Sequence, residues 1–225
     1  MPVRLEPFIV GHIYHIFNKT LDNRQLFKNP KSCRVFLNIL KYYRSTKAKI
    51  SFSKLKFLDK RRLREIEREV SYQRFFKANI LAYCVMPTHF HLLLKESVDG
   101  GIQKLMADVI NSLTKHCNPQ LERKGPIFLP KFKSEGVSSD EQLLHVSRYI
   151  HLNPYSAGVV RTLSELETYP WSSLMDYIFD NEETMVDTST ILAFFGGGKD
   201  KYKDFILSNA DYQKTLEYIK HMEKW

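Results

Sequence analysis

The sequence predicts a fold that contains both strands and helices, because short β-prone segments alternate along it with amphipathic helical segments. The β-prone segments are rich in aromatic and aliphatic residues and have the length of strands; they cover residues 8–17, 75–86 and 89–94. The helical segments repeat their apolar residues at a spacing of three or four; they cover residues 32–44, 102–117 and 139–153. Pro87-Thr88 alone separates the second and third β-prone segments, so 89–94 either continues the preceding strand or forms its hairpin partner.

Size and composition are those of an ordinary globular protein. The 225 residues suffice for one sizeable domain, or for one domain with an appendage. Hydrophobic residues make up 43% of the sequence and charged residues 26%, and no apolar run approaches the ~20 residues that span a membrane. The N-terminus lacks a signal-peptide pattern. The three cysteines are far apart and match neither a zinc site nor a disulfide framework, which indicates a cytoplasmic location.

The net charge of +9 favours an anionic partner, and nucleic acid is the commonest partner of this kind. The most charged part is residues 45–74, which we interpret as a helical insertion with Asp59 at the start of its main helix. This insertion is either a basic arm that contacts phosphates or a solvated surface helix. Because Glu65, Glu67 and Glu69 are interleaved with Arg and Lys, the pattern favours the surface helix.

Two histidines, His89 and His91, stand one residue apart in the apolar run after Pro87-Thr88. In a strand, both would point to one face together with Leu93, whereas the alternating apolar residues would point to the other. Two residues of strand rise separate the bases of the imidazoles by roughly 6–7 Å, close enough for both rings to bind one divalent ion. A pair of this kind alone is more often a feature of a buried strand than a metal site.

Segment 139–153 has the pattern of a capped helix, in which Ser139 and Gln142 form a capping-box signature. Its apolar stripe consists of Leu143, Val146 and Ile150. A neighbouring stripe consists of His145, Tyr149 and Asn153. Pro154 predicts the end of this helix, because the residue before a proline disfavours the helical conformation.

Two imidazoles and one amide form a possible ligand set for Mg²⁺ or Mn²⁺, with open positions for phosphate oxygens. Such an ion polarises a phosphodiester and stabilises charge on the leaving oxygen. A tyrosine hydroxyl, with an ordinary pKa near 10, can attack a phosphodiester once its ionised form is favoured. The resulting phosphotyrosine keeps the bond energy for rejoining strands. A lone tyrosine is, however, more often a packing residue, and an asparagine before proline often only ends a helix.

Four motifs together resemble a known family. The segment MPTHFHLLL at 86–94 resembles the HUH motif (His, hydrophobic, His) of single-tyrosine transposases. The segment RYIHLNP at 148–154, with AGVV at 157–160 after it, resembles the tyrosine helix of REP-associated tyrosine transposases. The segments GPIF at 125–128 and KFK at 131–133 resemble the loop before that helix, and YPWSS at 169–173 resembles the segment after it. The motifs occur in the family's order, and the resemblance covers about residues 14–177.

This resemblance implies an α+β fold with a ferredoxin-like antiparallel sheet flanked by helices. The transposase domain would occupy residues 1–178, including the charged insertion at 45–74, and a C-terminal helical extension would occupy 179–225. His89, His91 and Asn153 would bind a Mg²⁺ or Mn²⁺ ion, and Tyr149 would be the nucleophile. The residues expected to contact nucleic acid are Lys131, Lys133 and Arg148. One departure is Thr88, which stands where asparagine is common in the family.

The implied activity is metal-dependent cleavage and joining of single-stranded DNA beside a hairpin, through a 5′-phosphotyrosine and a free 3′-hydroxyl. The implied partner is hairpin DNA rather than a membrane, and the protein could act as a monomer or a homodimer. Two alternatives remain open from the sequence. One is a non-catalytic hairpin-binding regulator derived from a transposase. The other is a hydrolase of small phosphate esters that uses a metal-bound water and does not need Tyr149.

Overall fold

A four-stranded antiparallel sheet forms the centre of the chain in a computed structural model, which describes residues 7–181 and 184–215. The strands are β1 (Ile13–Lys19), β2 (Ala78–Met86), β3 (His89–Glu96) and β4 (Lys133–Val137). Their order in the sheet is β2-β3-β1-β4, and every neighbouring pair is antiparallel. This order, with helices between β1 and β2 and between β3 and β4, confirms the expected ferredoxin-like α+β fold.

The α-helices of the described residues fall into two groups along the chain. The first three are α1 (Pro30–Tyr43), α2 (Lys60–Ser71) and α3 (Gly101–Gln120). After β4 come α4 (Asp140–Ser156), α5 (Leu163–Glu167), α6 (Leu174–Ile178), α7 (Ser189–Leu192) and α8 (Lys199–Leu207). Helices α1 and α3 pack against each other and cover one face of the sheet, where Phe36 of α1 lies 4.9 Å from Phe90 of β3 between ring centroids. Helix α4 covers the other face over β2 and β3.

The hydrophobic core holds the two layers on the sheet. Phe90, Leu92 and Leu94 of β3 have no exposed surface and face α1 and α3, which confirms the alternation expected for this strand. At ~25 cal/mol per Å² of apolar area, each such side chain stabilises the fold by about 1.5–3 kcal/mol relative to an exposed position. No helix in the described ranges is long and apolar enough to cross a membrane.

Two strands begin later in the chain than the sequence predicts, and a third strand is not predicted. β1 begins at Ile13 rather than at residue 8, because Gly11 adopts a left-handed turn with φ of 86° and its N–H donates to Glu96. β2 begins at Ala78 because Gln73–Phe75 forms a 3₁₀ turn. β4 was not predicted: its sequence, KSEGV, lacks an apolar alternation, and it is a short edge strand paired only with β1.

Two helix ends also differ from the expectation. Helix α1 is capped by Asn29, whose side chain accepts from the Lys31 N–H, and Ser32 lies inside the helix. Helix α4 is capped at Ser139, as predicted, but it continues through Pro154 to Ser156. The proline lies in the last turn of the helix. The N–H groups of the residues that follow donate to the carbonyls of Asn153 and Pro154, so the absence of an N–H on Pro154 does not stop the helix before Ser156.

The insertion at 45–74 contains a 3₁₀ turn, Phe52–Phe57, and helix α2. Asp59 caps α2, as predicted, by accepting from the N–H groups of Arg61 and Arg62. Both arginines also pair with Glu65, at 3.3 and 3.1 Å, which agrees with a surface helix with paired charges. A small cluster of buried apolar side chains joins this insertion to the end of α1; it consists of Tyr42, Ile66 and Val70.

We expect Gly101→Ala to lower the free energy of unfolding by about 1–3 kcal/mol. A Cβ at this position would lie 2.1 Å from the carbonyl oxygen of Lys77, and backbone cannot rotate away as a side chain can. The matched control is Gly136→Ala in β4, where the nearest atom would be a ring carbon of Tyr14 at 3.8 Å. Urea unfolding of both variants measures the difference, and equal losses of stability would contradict this account of Gly101.

Candidate metal and tyrosine site

The register of β3 against β1 places both histidines of the His-x-His motif on the face that α4 covers. His89 stands opposite Lys19, and His91 stands opposite Phe17. The two imidazole rings are 5.0 Å apart between centroids and nearly perpendicular, at 84°. Both rings are therefore close enough for one ion to lie between their nitrogens.

Tyr149 reaches the same place from α4. Its ring centroid lies 5.5 Å from that of His91 and 5.9 Å from that of His15, with interplanar angles of 89° and 74°. Tyr149 is half-buried, whereas its neighbour Ile150 is fully buried and anchors the helix. The helix thus brings the phenol next to the histidine pair of the same chain.

A third histidine, His15 of β1, was missed by the sequence interpretation. Its Nε2 lies 2.9 Å from Nδ1 of His91, and the two rings stack at 5.2 Å between centroids. The alternation of β1 puts His15 on the same side as Phe17, but only the pairing of β1 with β3 shows that this side carries His91. The sequence shows only a histidine in a β-prone segment. Its position beside His91 becomes evident only from the register of β1 against β3.

Burial keeps the two bonded histidines neutral. Desolvation lowers the pKa of His15 to about 4, and desolvation, together with the nearby His89 and His15, holds the pKa of His91 well below its usual range. Nε2 of His91 is buried and has no hydrogen-bond partner among the described residues. A neutral imidazole with one unpaired buried nitrogen is the form that binds a metal ion.

His89 is oriented by the residue before it. Oγ1 of Thr88 lies 3.0 Å from Nδ1 of His89, so the hydroxyl fixes this side of the ring. Thr88 therefore contacts a histidine of the site directly.

The donor set fits a divalent ion that accepts mixed nitrogen and oxygen ligands, such as Mn²⁺. Within the described residues, no group of three or more His, Cys, Asp or Glu side chains could hold a metal ion. The additional donor expected from the sequence is an amide, Asn153, which lies one helical turn after Tyr149 and is buried, with 7% of its surface exposed. The donors that the structure brings together are therefore the imidazoles of His89 and His91, and the second of these has the unpaired Nε2.

Of the basic residues expected to bind nucleic acid, one lies beside this face, one is exposed in a loop and one packs against α8. Lys133 of β4 places its ammonium 6.0 Å from the Phe17 ring, which in turn stacks on His91, and Lys131 is exposed in the loop just before β4. Arg148 instead lies over the Phe205 ring at 4.6 Å and donates to His145. Lys19, opposite His89 and exposed, is a cation that the sequence interpretation missed.

The position of α4 is fixed by a buried polar network. His151, fully buried, lies between the hydroxyls of Tyr202 in α8 and Ser173, with Nδ1 and Nε2 each 2.8 Å from an oxygen. Ser173 also accepts from the Tyr83 N–H in β2, so the network joins α4 to α8 and to the sheet edge.

The C-terminal segment contacts α4 at two further points. The Tyr155 hydroxyl donates to Asp211, and the Gln213 side chain donates to the carbonyl of Tyr149. Segment 169–173 runs along the free edge of β2, where Val85 donates to Trp171 and Ser173 donates to Tyr83 through the backbone. The residues after α4 therefore hold the tyrosine helix on the sheet through these hydrogen bonds.

Comparison with known proteins gives a match to a family model and a match to a solved structure. The family model described as "Transposase IS200 like" matches residues 45–153, a range that includes the His-x-His motif, Tyr149 and Asn153. A solved structure of a REP-associated tyrosine transposase bound to a REP hairpin superposes with a TM-score of 0.54 and 14% sequence identity, over 84% of this chain and 93% of that chain. At this identity the likeness shows the fold. No curated protein matches this chain.

We expect the free energy of unfolding to decrease as the pH is lowered, partly because of His151, whose burial lowers its pKa to about 3. Below about pH 6.5 the unfolded chain binds a proton that native His151 does not, so stability decreases by about 1.4 kcal/mol per pH unit down to about pH 3. His151→Gln removes this contribution and should give a shallower pH dependence, although its stability at neutral pH is lower.

The control for His151 is His145→Gln, an exposed histidine on the same helix. Urea unfolding between about pH 7 and about pH 5 gives the slope for each protein. The slope of His151→Gln should be the shallower of the two variants. An unchanged slope in His151→Gln would show that His151 is not the neutral buried group described.

Proposed function

We propose, because residues 45–153 belong to the IS200-like transposase family, that this chain cuts and rejoins single-stranded DNA beside a hairpin through a covalent bond to Tyr149. The observation that carries this proposal is the convergence of Tyr149 with His91 and His89 on one face of the sheet. The expected intermediate is a 5′-phosphotyrosine.

The residues that would hold a Mg²⁺ or Mn²⁺ ion are His89, His91 and Asn153. Such an ion, when bound, polarises the phosphodiester and stabilises charge on the oxygen that leaves. The neutral state of His91 and its unpaired Nε2 support this assignment, because a protonated imidazole cannot be a ligand.

Tyr149 would supply the nucleophile. Its phenolic oxygen loses its proton to solvent and forms a bond to phosphorus, while the bond between phosphorus and the 3′-oxygen breaks. The 3′-oxygen takes up a proton and leaves as a hydroxyl, and the 5′ side stays on the tyrosine. Attack of a 3′-hydroxyl on this phosphotyrosine reverses the step and joins strands without an external energy source.

The substrate would be hairpin DNA with an adjoining single strand. The solved neighbour is bound to a REP hairpin, and this supports the same class of partner for the present chain. Lys19, Lys131 and Lys133 lie exposed around the site and would contact phosphates, with a binding constant that falls as salt rises. Arg148, which lies over Phe205, would instead contribute mainly by fixing α4, although its sequence position made it a candidate for DNA contact.

The tyrosine would act on DNA bound by the histidines of its own chain. The contact between Tyr149 and His91 is within one chain, and the bond from Gln213 together with the His151 network holds α4 there. A monomer would therefore already hold Tyr149 beside His91, and a homodimer would need no exchange of helices. The protein would work in the cytoplasm, where thiols such as those of its three buried cysteines stay reduced.

We expect Tyr149→Phe to form no covalent adduct with a hairpin-bearing single strand in Mn²⁺ or Mg²⁺, and to bind that strand with an affinity close to wild type. The matched control is Tyr155→Phe, since Tyr155 lies on the same helix but its hydroxyl donates to Asp211. This control should keep the adduct. Denaturing gel electrophoresis of end-labelled DNA measures the adduct.

Other outcomes would favour the alternatives. An adduct in Tyr149→Phe would show that another residue is the nucleophile. Metal-independent binding without cleavage of any hairpin by the wild type would favour a regulator derived from a transposase. Hydrolysis of small phosphate esters that survives Tyr149→Phe would favour a hydrolase that uses a metal-bound water.

A further inference from the structure

We propose that His15 is a positioning residue, which holds His91 in the one tautomer whose Nε2 lone pair is available to a metal ion. The inference deepens the proposed function and rests on its metal site. His15 itself is not assigned as a ligand, because its Nε2 is already engaged with Nδ1 of His91 at 2.9 Å.

The hydrogen bond between the two neutral rings allows two arrangements of their two protons. In the first, Nδ1–H of His91 donates to Nε2 of His15, and Nε2 of His91 carries a lone pair. In the second, Nε2–H of His15 donates to Nδ1 of His91, and Nε2 of His91 carries a hydrogen. The hydrogen in the second arrangement would be buried without an acceptor, because Nε2 of His91 has no partner among the described residues. Such a donor costs about 1–3 kcal/mol.

The other side of His15 favours the same arrangement. Its Nδ1 lies 3.9 Å from Oε2 of Glu135, which stands opposite it in the register of β1 and β4. In the first arrangement this nitrogen carries a hydrogen that faces the carboxylate. In the second it carries a lone pair that faces the same negative charge. Both ends of the pair therefore select Nδ1–H on His91.

The sheet makes His15 suitable for this role. His15 is 5% exposed, packs at 4.9 Å against Phe17 and lies on a central strand, so its ring has little freedom. Metal-ligating histidines usually donate their second nitrogen to a carboxylate, carbonyl or water, and loss of that partner weakens metal binding by about 10- to 100-fold. Here an imidazole takes the place of that partner, with a carboxylate behind it.

The test compares two substitutions in the full-length protein. His15→Leu fills the space but offers no acceptor, and His15→Gln keeps an acceptor oxygen near the position of Nε2. His12→Leu, at an exposed histidine just before β1, is the control. Calorimetric titration with MnCl₂ should show affinity lowered about 10- to 100-fold in His15→Leu, and lowered less than about 5-fold in His15→Gln and in the control.

Nitrogen NMR of histidine-labelled protein without metal gives the second readout. The wild type should show His91 protonated on Nδ1, and His15→Leu should shift it towards the Nε2–H form or a mixture. A His91 with Nε2–H in the wild type, or the same tautomer and Mn²⁺ affinity in His15→Leu as in the wild type, would overturn the proposal. Thermal unfolding of each variant separates these effects from a general loss of structure.

The two readouts also separate this inference from the proposed function. If the wild type binds no Mn²⁺ but His91 carries its proton on Nδ1, the metal site fails and the assignment of the tautomer stands. If the wild type binds Mn²⁺ in a manner lost on His91→Ala, and His15→Leu binds it equally well, the metal site stands and the role of His15 fails.

Discussion

The two-residue repeat of β3 is the constraint on which the rest of the structure depends. One set of alternate side chains, Phe90, Leu92 and Leu94, is buried under α1 and α3 and fixes the strand in the centre of the fold. The other set carries His89 and His91 to the opposite face. A shift of one residue in the register would exchange the two sets, burying the imidazoles in the apolar core and exposing the aliphatic residues. Burial of the apolar side chains of β3 therefore stabilises the fold and also fixes the positions of the two histidines.

The second half of the site depends on how α4 is held. Helix α4 carries only a short apolar stripe. Hydrogen bonds of His151, and contacts with residues that follow α4 in the chain, place it over the sheet. A buried polar group is costly unless each of its donors and acceptors is satisfied, and such networks specify one arrangement more sharply than apolar contacts do. This network therefore holds Tyr149 next to His91.

Local patterns in the sequence predicted much of the fold and the centre of the site. The alternation in β3, the Ser139 cap and the family's motifs led to His89, His91 and Tyr149, because each signal lies within a few neighbouring residues. The features that these patterns missed depend on distant pairing. His15 acquires its meaning from the register of β1 with β3, and Lys19 likewise. β4 is stabilised by its neighbour rather than by its own residues, and Pro154 is tolerated because it falls in the last turn of α4.

The central claim is that one face of the sheet joins a divalent ion to a tyrosine within a single chain. Anomalous X-ray diffraction at the manganese absorption edge, from crystals grown with MnCl₂, tests it most directly. We expect a peak at about 2.0–2.3 Å from Nε2 of both His89 and His91, on the side facing Tyr149 of the same chain. A peak bound elsewhere, or a Tyr149 directed away from the ion in every copy, would contradict the claim.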